Sequence, residues 1–248
     1  MADWRAPANL YQGVIPARAT FVVDVSAKIR YVSKRMRTAD NQQPLVHVVD
    51  DDASIRSALE GLFDSVGLQT ETYATAEAFL SANLTDRPGC IVLDVRLPGV
   101  NGIEFQSRLT QIGVGIPVVM MTGFGDIPMS VHAMKHGAVD FLPKPFRDQD
   151  MLDAVMAAIA RDRQRRTVEN DISLLRERFE RLSPREQEVM LHVTAGKMNK
   201  QVAGDLGISE ITVKIHRGAA MHKMGARTYA ELVRMADILK PRRPKLDR

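Results

Sequence analysis

The stretch CIVLDVRLPG, residues 90–99, decides the fold of the first half of this chain. Its first four residues form an apolar run of the kind that lies buried in a parallel β-sheet. Asp94 follows this run, and Pro98 and Gly99 break the chain shortly afterwards. A carboxylate at the end of a buried strand is costly unless a partner neutralises it or it takes part in chemistry. The stretch therefore predicts a buried strand that ends at a carboxylate with a role in binding or reaction.

Strand-like and helix-like segments alternate on both sides of this stretch. Amphipathic segments at helical spacing separate short strand-like runs, which we predict at residues 45–49, 69–74, 91–95, 118–121 and 139–142. Five strand–helix units within about 100 residues favour a parallel sheet with helices on both faces and right-handed crossovers. The predicted fold class of this half is therefore α/β, with a doubly wound five-stranded parallel sheet.

Polar side chains follow the strands at the points where the strands end. They are Asp50, Asp51 and Asp52 after the first strand, Asp94 after the third, Thr122 after the fourth and Lys144 after the fifth. The carboxyl ends of parallel strands meet at one edge of the sheet, where such folds bind their ligands. We therefore expect these side chains to converge.

This set of residue types suits phosphoryl transfer to a carboxylate. Carboxylates that share a cleft raise one another's pKa, and Mg²⁺, which prefers oxygen ligands, relieves their repulsion. A carboxylate beside such an ion can attack phosphorus and form an acyl phosphate, while Lys144 neutralises phosphoryl oxygens and Thr122 hydrogen-bonds the new group. Each residue alone has a plainer interpretation: a helix cap for 50–52, a loop cap for Thr122, a surface lysine for Lys144 and a core side chain for Phe141.

Four segments resemble the receiver domain of bacterial two-component response regulators. They are VVDDD (48–52), LDVRLPGVNG (93–102), MMTGFGD (120–126) and DFLPKPF (140–146). The resemblance extends over residues 45–147, and it implies a flavodoxin-like arrangement of the five strands.

The resemblance assigns roles to the residues at the strand ends. It implies that Asp94 accepts a phosphoryl group and that Lys144 contacts the phosphate. It also implies that Thr122 and Phe141 form a pair of switch residues, and that a cis peptide bond precedes Pro145.

A Mg²⁺ site is implied as well. Its protein ligands would be an acidic pair after the first strand, Asp94 itself and the main-chain carbonyl of Arg96. The acidic pair is either Asp50 and Asp51 or Asp51 and Asp52. The run VHVVDDD favours Asp50 and Asp51, and Asp51 belongs to the pair in both cases.

Charge divides the chain into an acidic part and a basic part. Residues 44–146 contain 6 Lys or Arg and 12 Asp or Glu, whereas residues 183–248 contain 13 Lys or Arg and 7 Asp or Glu. A basic domain joined to an acidic one suggests two tasks, and the basic domain is a candidate for binding nucleic acid. Two solvated surfaces of different charge are the plainer alternative.

Capping and turn signals predict four short helices in the basic part. Ser183 begins a capping box, and Asn199, Ser209 and Thr228 are predicted to cap the next three helices. Gly207 lies in the short turn between the second and third of these helices. A helix, a tight glycine-containing turn and a second helix predict a helix-turn-helix within a small all-α four-helix domain.

The segment LSPREQEVMLHVTAGKMNKQVAGDLGISEITVKIHR (182–217) resembles the LuxR-type DNA-binding domain, and with the receiver it makes the whole chain resemble FixJ/NarL-type response regulators. The third helix would enter the major groove of double-stranded promoter DNA. By this resemblance, the residues nearest the base edges are Lys214 and Ile215, and those on the DNA backbone are Lys200, Thr212, His216 and Arg217.

A heptad-like seam precedes the basic domain. Its apolar residues are Val168, Ile172, Leu175, Phe179 and Leu182. Two heptads are too short to form a stable coiled coil alone. The seam either pairs with a second chain or docks on its own protein, and the spacing does not separate these alternatives.

The first 43 residues resemble neither family. Val25, Ile29, Val32 and Met36 have helical spacing and could line a basic amphipathic helix for a partner or membrane surface. We favour instead a disordered or artificial extension, and translation from Met36 is a third possibility.

These patterns predict five segments along the chain. They are an N-terminal extension at 1–43, a receiver domain at 44–147, a helical linker at 148–182, a LuxR-type domain at 183–240 and a basic tail at 241–248.

The single cysteine, Cys90, excludes an intrachain disulfide framework, and no apolar run approaches the roughly 20 residues of a membrane span. With no signal-peptide pattern, we expect a cytoplasmic protein with no membrane insertion. The predicted function is DNA-binding transcriptional regulation, in which a sensor histidine kinase phosphorylates Asp94 with Mg²⁺ and a homodimer forms. Such a protein is not an enzyme, beyond slow hydrolysis of its aspartyl phosphate.

Two other functions are consistent with parts of the sequence. A Mg²⁺-dependent aspartyl phosphatase also needs a nucleophilic aspartate, a threonine and a lysine, but such enzymes place the nucleophile after the first strand, and the basic helical domain would have no role in such an enzyme. A DNA-binding protein that needs no phosphorylation is the other alternative. It predicts that regulation does not depend on Asp94.

Overall fold

The computed structural model of the chain describes residues 43–123 and 127–240, with side chains except at 127–129. The predicted basic tail at 241–248 lies outside the described residues. So does the predicted N-terminal extension, apart from Gln43. The main-chain carbonyl of Gln43 accepts hydrogen bonds from the Arg87 guanidinium, so the folded part begins at least one residue before the predicted boundary.

Five parallel strands form a single sheet with the order β2–β1–β3–β4–β5. The strands are β1 (Leu45–Val49), β2 (Gln69–Tyr73), β3 (Gly89–Asp94), β4 (Val118–Thr122) and β5 (Asp140–Pro143). The helices between them are α1 (Ala53–Ser65), α2 (Ala76–Ser81), α3 (Gly102–Gln111) and α4 (Ile127–Lys135). The predicted doubly wound, flavodoxin-like sheet is confirmed, and the predicted boundaries agree with these to within about two residues.

The central strands are apolar throughout because both faces of the sheet are buried. Along β3, Cys90 and Val92 belong to one core cluster, beneath α1 and the helix that follows β5. Ile91 and Leu93, which alternate with them, belong to the cluster on the opposite face, beneath α2, α3 and α4. Successive strand side chains point to opposite faces, so a strand covered on both sides needs an unbroken apolar run.

The strand order reverses next to β1, which pairs with both β2 and β3. The connections that leave β1 and β3 therefore run to opposite sides of the sheet, and a crevice opens at the carboxyl ends of these two strands. Asp50 directly follows β1 and Asp94 ends β3. The topology thus brings the carboxylate of Asp94 beside the acidic run that follows the first strand.

A 33-residue helix, α5 (Asp148–Glu180), continues from the receiver half without a break. Its side chains Met151, Val155 and Ile159 pack in the core cluster shared with α1. The sequence predicts only a polar stretch after them, at residues 161–166. In the structure, however, one carboxylate of this stretch, Asp162, is 0% exposed.

Asp162 joins α5 to the amino-terminal end of β3. Its carboxylate accepts a hydrogen bond from the main-chain N–H of Gly89 (3.0 Å) and from Nε of Arg166 (2.7 Å). Its other oxygen accepts from Nη2 of Arg165 at 2.6 Å. Arg166 also bonds Asp86, so the buried charge is neutralised by two guanidinium groups. No pattern in the sequence indicated this network, which holds the long helix against the receiver half.

The heptad-like seam docks mainly on its own chain. Leu175 and Phe179 pack against the core of the C-terminal helical domain, and Leu182 is part of that core. Val168, at the other end of the seam, is exposed. The last three residues of the seam therefore dock on their own protein and do not await a second chain.

Four short helices form the C-terminal domain, as predicted. They are α6 (Pro184–Thr194), α7 (Asn199–Leu206), α8 (Glu210–Met224) and α9 (Tyr229–Leu239). Ser183 and Glu186 form the predicted capping box, and Gly207 adopts a positive φ of 65° in the turn before α8. None of the described helices combines the length and the apolar character that crossing a bilayer requires.

The predicted cap of α7 is wrong. Asn199 is the first residue of the helix, and Met198 occupies the N-cap position. The main-chain N–H of Met198 donates to the side chain of Gln201, while the side chain of Asn199 accepts from Arg217. Gln201, rather than an N-cap side chain, therefore stabilises the start of this helix, which leaves Asn199 to bond α8.

Candidate functional site

Four of the side chains predicted to converge at the carboxyl edge of the sheet, those of Asp50, Asp51, Asp94 and Lys144, lie close together. Nζ of Lys144, which follows β5, lies 2.6 Å from Oδ2 of Asp50 and 3.3 Å from Oδ2 of Asp94. Thr122 ends β4 at the same edge and is buried. Residues that are 94 positions apart in sequence thus share one small polar site.

Asp50 is completely buried, and hydrogen bonds hold both of its carboxylate oxygens. Oδ2 accepts from Lys144, and Oδ1 accepts from the main-chain N–H of Asp52 at 2.9 Å. The side chain of Asp52 itself caps α1 by accepting from the N–H of Ser54 at 2.8 Å, and its hydrogen bonds to Ser54 lower the pKa of Asp52. Asp52 is therefore engaged in helix capping, whereas Asp50 faces the polar site.

Asp94 is 6% exposed, and one of its oxygens lacks a partner. Burial, opposed by Lys144 and supported by the nearby Asp50, raises the pKa of Asp94 above its ordinary value. The main-chain N–H of Arg96 hydrogen-bonds this carboxylate, yet Oδ1 has no hydrogen-bond partner among the described residues. A buried carboxylate oxygen without a partner is costly. Oδ1 of Asp94 is therefore suited to bind a ligand that supplies positive charge or a reactive centre.

Three carboxylates of this site fit a hard divalent cation. One oxygen each from Asp50, Asp51 and Asp94 lies within 4.8 Å of the others, and Asp51 is exposed to solvent. Among the residues that the structure describes, one cation, Lys144, contacts two of these carboxylates, so negative charge remains in excess there. Oxygen ligands with residual negative charge and access to water are the donor set that Mg²⁺ prefers.

The connection after Asp94 is closely packed at Gly102. Main-chain N–H of Gly102 donates to the carbonyl of Val95 at 2.8 Å, and a Cβ at Gly102 would lie 2.5 Å from the carbonyl oxygen of Asp94. The short segments Arg96–Leu97 and Val100–Asn101 pair as an antiparallel ribbon, which returns the chain to this point. Gly102 is thus required because only a residue without a side chain can approach the backbone of Asp94 so closely.

We expect Gly102→Ala to lower the free energy of unfolding by roughly 2 kcal/mol, because the new methyl group displaces the backbone of Asp94. The matched control is Gly61→Ala in α1, where a Cβ meets no atom within 4 Å. That change should stabilise the helix by about 0.5–1 kcal/mol. Urea unfolding of both variants checks the prediction, and equal effects at the two glycines would contradict it.

The other predicted site residues of the receiver lie at the same edge. The carbonyl of Thr122 accepts a hydrogen bond from the N–H of Lys144 at 2.6 Å, which joins the ends of β4 and β5. Phe141 is partly buried against the core cluster that contains Ala133 and Ala138. The peptide bond between Lys144 and Pro145 is cis, as the resemblance implies.

Helix α8 presents cationic and apolar side chains to solvent. Lys214 is exposed and Ile215 is 64% exposed. Ile211, one turn earlier, is 70% exposed, and the sequence analysis did not single it out. Its helical spacing of four from Ile215 was the available signal, but an isoleucine in an amphipathic helix is ordinarily assigned to the core.

Two of the four remaining predicted DNA-contacting residues have partners within the domain. The hydroxyl of Thr212 hydrogen-bonds Ser209 at 2.8 Å, and Arg217 donates to Asn199 at 3.3 Å. His216 is half-buried, and Lys200, on α7, is exposed. The six predicted residues therefore lie on α7 and α8, the two helices of the helix-turn-helix.

Comparison with known families identifies both halves. Residues 46–156 match the response regulator receiver domain, and residues 180–236 match the bacterial regulatory proteins of the luxR family. These two matches cover the polar site at the sheet edge and the helix-turn-helix, respectively.

Relatives of similar length share this organisation. Nodulation protein W of Bradyrhizobium diazoefficiens is 52% identical over 202 residues, which are 82% of this chain and 89% of that protein. The transcriptional regulatory protein FixJ of Azorhizobium caulinodans is 44% identical over 191 residues, covering 77% of this chain and 90% of that protein. The solved structure of the response regulator StyR is 46% identical, with a TM-score of 0.68 over 79% of this chain and 99% of that chain.

The fold, the polar site and the relatives all indicate the same family. A receiver half with an acidic pocket is joined to a helix-turn-helix half with an exposed basic recognition helix. The chain belongs to the FixJ-type response regulators, which are phosphorylation-controlled, DNA-binding transcriptional regulators with a receiver domain and a LuxR-type domain.

Proposed function

We propose that Asp94 accepts the phosphoryl group, and that the donor is a phosphohistidine of a sensor histidine kinase in the cytoplasm. The observation that carries this proposal is the buried carboxylate of Asp94, whose Oδ1 lacks a partner in the described part of the chain while Nζ of Lys144 lies 3.3 Å from Oδ2. In the transfer, a carboxylate oxygen of Asp94 bonds to phosphorus as the phosphorus–nitrogen bond of the donor breaks. The electron pair of that bond returns to the histidine of the kinase.

The charges of the site support this transfer. Asp50, Asp51 and Asp94 would hold Mg²⁺ together with the main-chain carbonyl of Arg96, and the bound ion would neutralise carboxylate and phosphoryl oxygens. Lys144 keeps its ammonium group within the site through its 2.6 Å contact with Asp50, and there it can neutralise a phosphoryl oxygen. Slow hydrolysis of the aspartyl phosphate would return the protein to its resting state.

The switch that follows phosphorylation involves Thr122 and Phe141. Asp94 pairs with Met121 across β3 and β4, so the next residue, Thr122, ends β4 beside the carboxylate that would carry the phosphoryl group. Phe141 packs against the core cluster that contains Ala133 of α4, so a shift at Thr122 that moves Phe141 would reach the surface formed by α4 and β5. A phosphoryl group shifts this equilibrium only if it binds one arrangement better than the other. We propose that the favoured arrangement forms a homodimer.

In the homodimer, the two LuxR-type domains bind paired half-sites of promoter DNA. Lys214 and Ile215 contact base edges, and the exposed Ile211 joins them because an aliphatic side chain can contact a thymine methyl group. The residues proposed for the DNA backbone remain Lys200, Thr212, His216 and Arg217. These contacts position the helix but carry little sequence information.

Light scattering of the full chain tests the switch. We expect the molar mass to double when beryllofluoride, a phosphoryl mimic, is added with Mg²⁺, and affinity for a DNA site selected from random sequence to rise in parallel. Mg²⁺ alone, and beryllofluoride with a chelator, are the controls, and each should leave the protein as a monomer. An unchanged mass and an unchanged DNA affinity with beryllofluoride and Mg²⁺ would contradict the proposal.

A further inference from the structure

We propose that His132 and His136 form a binding site for a borderline transition-metal ion such as Zn²⁺ at the C-terminal end of α4. The two residues are separated by four positions, the spacing that places two side chains on the same face of a helix. Their rings lie close together, with centroids 4.2 Å apart and planes inclined by 36°. Both side chains are exposed, so an ion can reach them from solvent.

A hydrogen bond orients the second ring for coordination. Nδ1 of His136 lies 2.8 Å from the main-chain carbonyl oxygen of His132, and since a carbonyl can only accept, Nδ1 carries the proton. In neutral imidazole the other nitrogen, Nε2, then holds the free electron pair. Histidines that bind metals commonly donate the second ring N–H to a carbonyl in this way, which sets both tautomer and ring orientation.

The surroundings of these two rings differ from those of His47 and His192. His47 and His192 each lie within 4 Å of a carboxylate, Glu71 and Asp205 respectively, which accounts for their placement. The ring of His136 instead contacts a neutral carbonyl and a second imidazole. Two imidazoles at this spacing on a helix recur in zinc sites.

The chemistry of this pair separates it from the acidic pocket. Imidazole nitrogen suits Zn²⁺, Ni²⁺ and Cu²⁺, whereas carboxylate and carbonyl oxygens suit Mg²⁺. Two ring nitrogens leave further coordination positions for water. Ala133, beside His132, packs in the same core cluster as Phe141. The site therefore lies on α4, the helix that separates the proposed switch residues Thr122 and Phe141 in the sequence. The metal site does not depend on the proposed phosphorylation.

Calorimetric titration of the full chain with ZnCl₂ tests the site. We expect His132→Gln and His136→Gln each to weaken uptake of one Zn²⁺ per chain by about 10-fold or more. Zn²⁺ should also raise the melting temperature of the wild type more than that of either variant, because an ion that binds only the folded state stabilises it. NMR of the imidazole nitrogens should show a shift of Nε2 of His136 on titration.

Two further variants serve as controls. His222→Gln removes an exposed histidine of α8, and Asp51→Asn removes the exposed member of the acidic cluster; both should leave this Zn²⁺ uptake unchanged. If Zn²⁺ binds the two His→Gln variants as tightly as the wild type, or if Asp51→Asn abolishes the uptake, the proposal is overturned. Because no phosphoryl mimic is present, either result leaves the test of the phosphorylation switch unaffected.

Discussion

Replacement of Asp94 by Asn should abolish incorporation of a phosphoryl group and the response to beryllofluoride. The side-chain amide is nearly the same size as the carboxylate, so the packing around the site is preserved. It is, however, neutral and a poor nucleophile, and it cannot form the acyl phosphate. Incubation with radiolabelled acetyl phosphate and Mg²⁺, followed by counting of label on the protein, checks the expectation.

The same substitution should make the resting protein more stable at neutral pH. Burial and Asp50 raise the pKa of Asp94, so ionising this group costs more in the folded state than in the unfolded state. Stability from this group is therefore full below the ordinary pKa of an aspartate and is lost as pH rises through the raised value. Asparagine removes this penalty, and a higher melting temperature in metal-free buffer at neutral pH is expected.

The matched control for Asp94 is Asp64→Asn, which changes an exposed carboxylate on α1 outside the site. This control should accept label and respond to beryllofluoride as the wild type does. If Asp94→Asn still acquires acid-stable, hydroxylamine-sensitive label at the wild-type rate, another residue is the acceptor. Regulation of the target promoter that is unaffected by Asp94→Asn would favour the phosphorylation-independent alternative.

Asp162→Ala should lower the free energy of unfolding of the receiver half by about 3 kcal/mol. The substitution leaves Arg165 and Arg166 without their shared buried carboxylate and leaves the N–H of Gly89 without its acceptor. Removal of one partner from a buried charged network is strongly destabilising because the remaining charges lose their compensation. Urea unfolding, followed by circular dichroism, measures the change.

Two variants of the same helix sharpen this test. Asp162→Asn keeps an oxygen that can accept from Gly89 but removes the charge, so its effect should lie between those of wild type and Asp162→Ala. Asp153→Ala removes an exposed carboxylate from α5 and should change stability by no more than about 0.5 kcal/mol. Equal destabilisation by Asp153→Ala and Asp162→Ala would mean that helix propensity, rather than the buried network, is responsible.

The sequence alone determined the architecture and the reactive edge of the receiver. Strands covered on both faces require unbroken apolar runs, so a polar residue such as Asp94 at the end of such a run is conspicuous. In a parallel sheet all such ends meet at one edge, so Asp50, Asp94 and Lys144 could be placed together before any coordinates were known. Capping signals at Ser183, Ser209 and Thr228 similarly located three of the four helices of the DNA-binding domain, since a cap acts over a few residues.

Only the tertiary structure decided which polar side chains are buried and which apolar side chains are exposed against the pattern of their segment. Asp162 lies in a charged stretch, and only its contact with Gly89, 73 residues earlier, makes it a buried anchor. Ile211 has the spacing of a core residue, yet it is exposed because α6, α7 and α9 pack against other parts of α8. A periodic pattern reports which face of an element is buried on average, whereas each contact across the fold depends on the packing of segments distant in sequence.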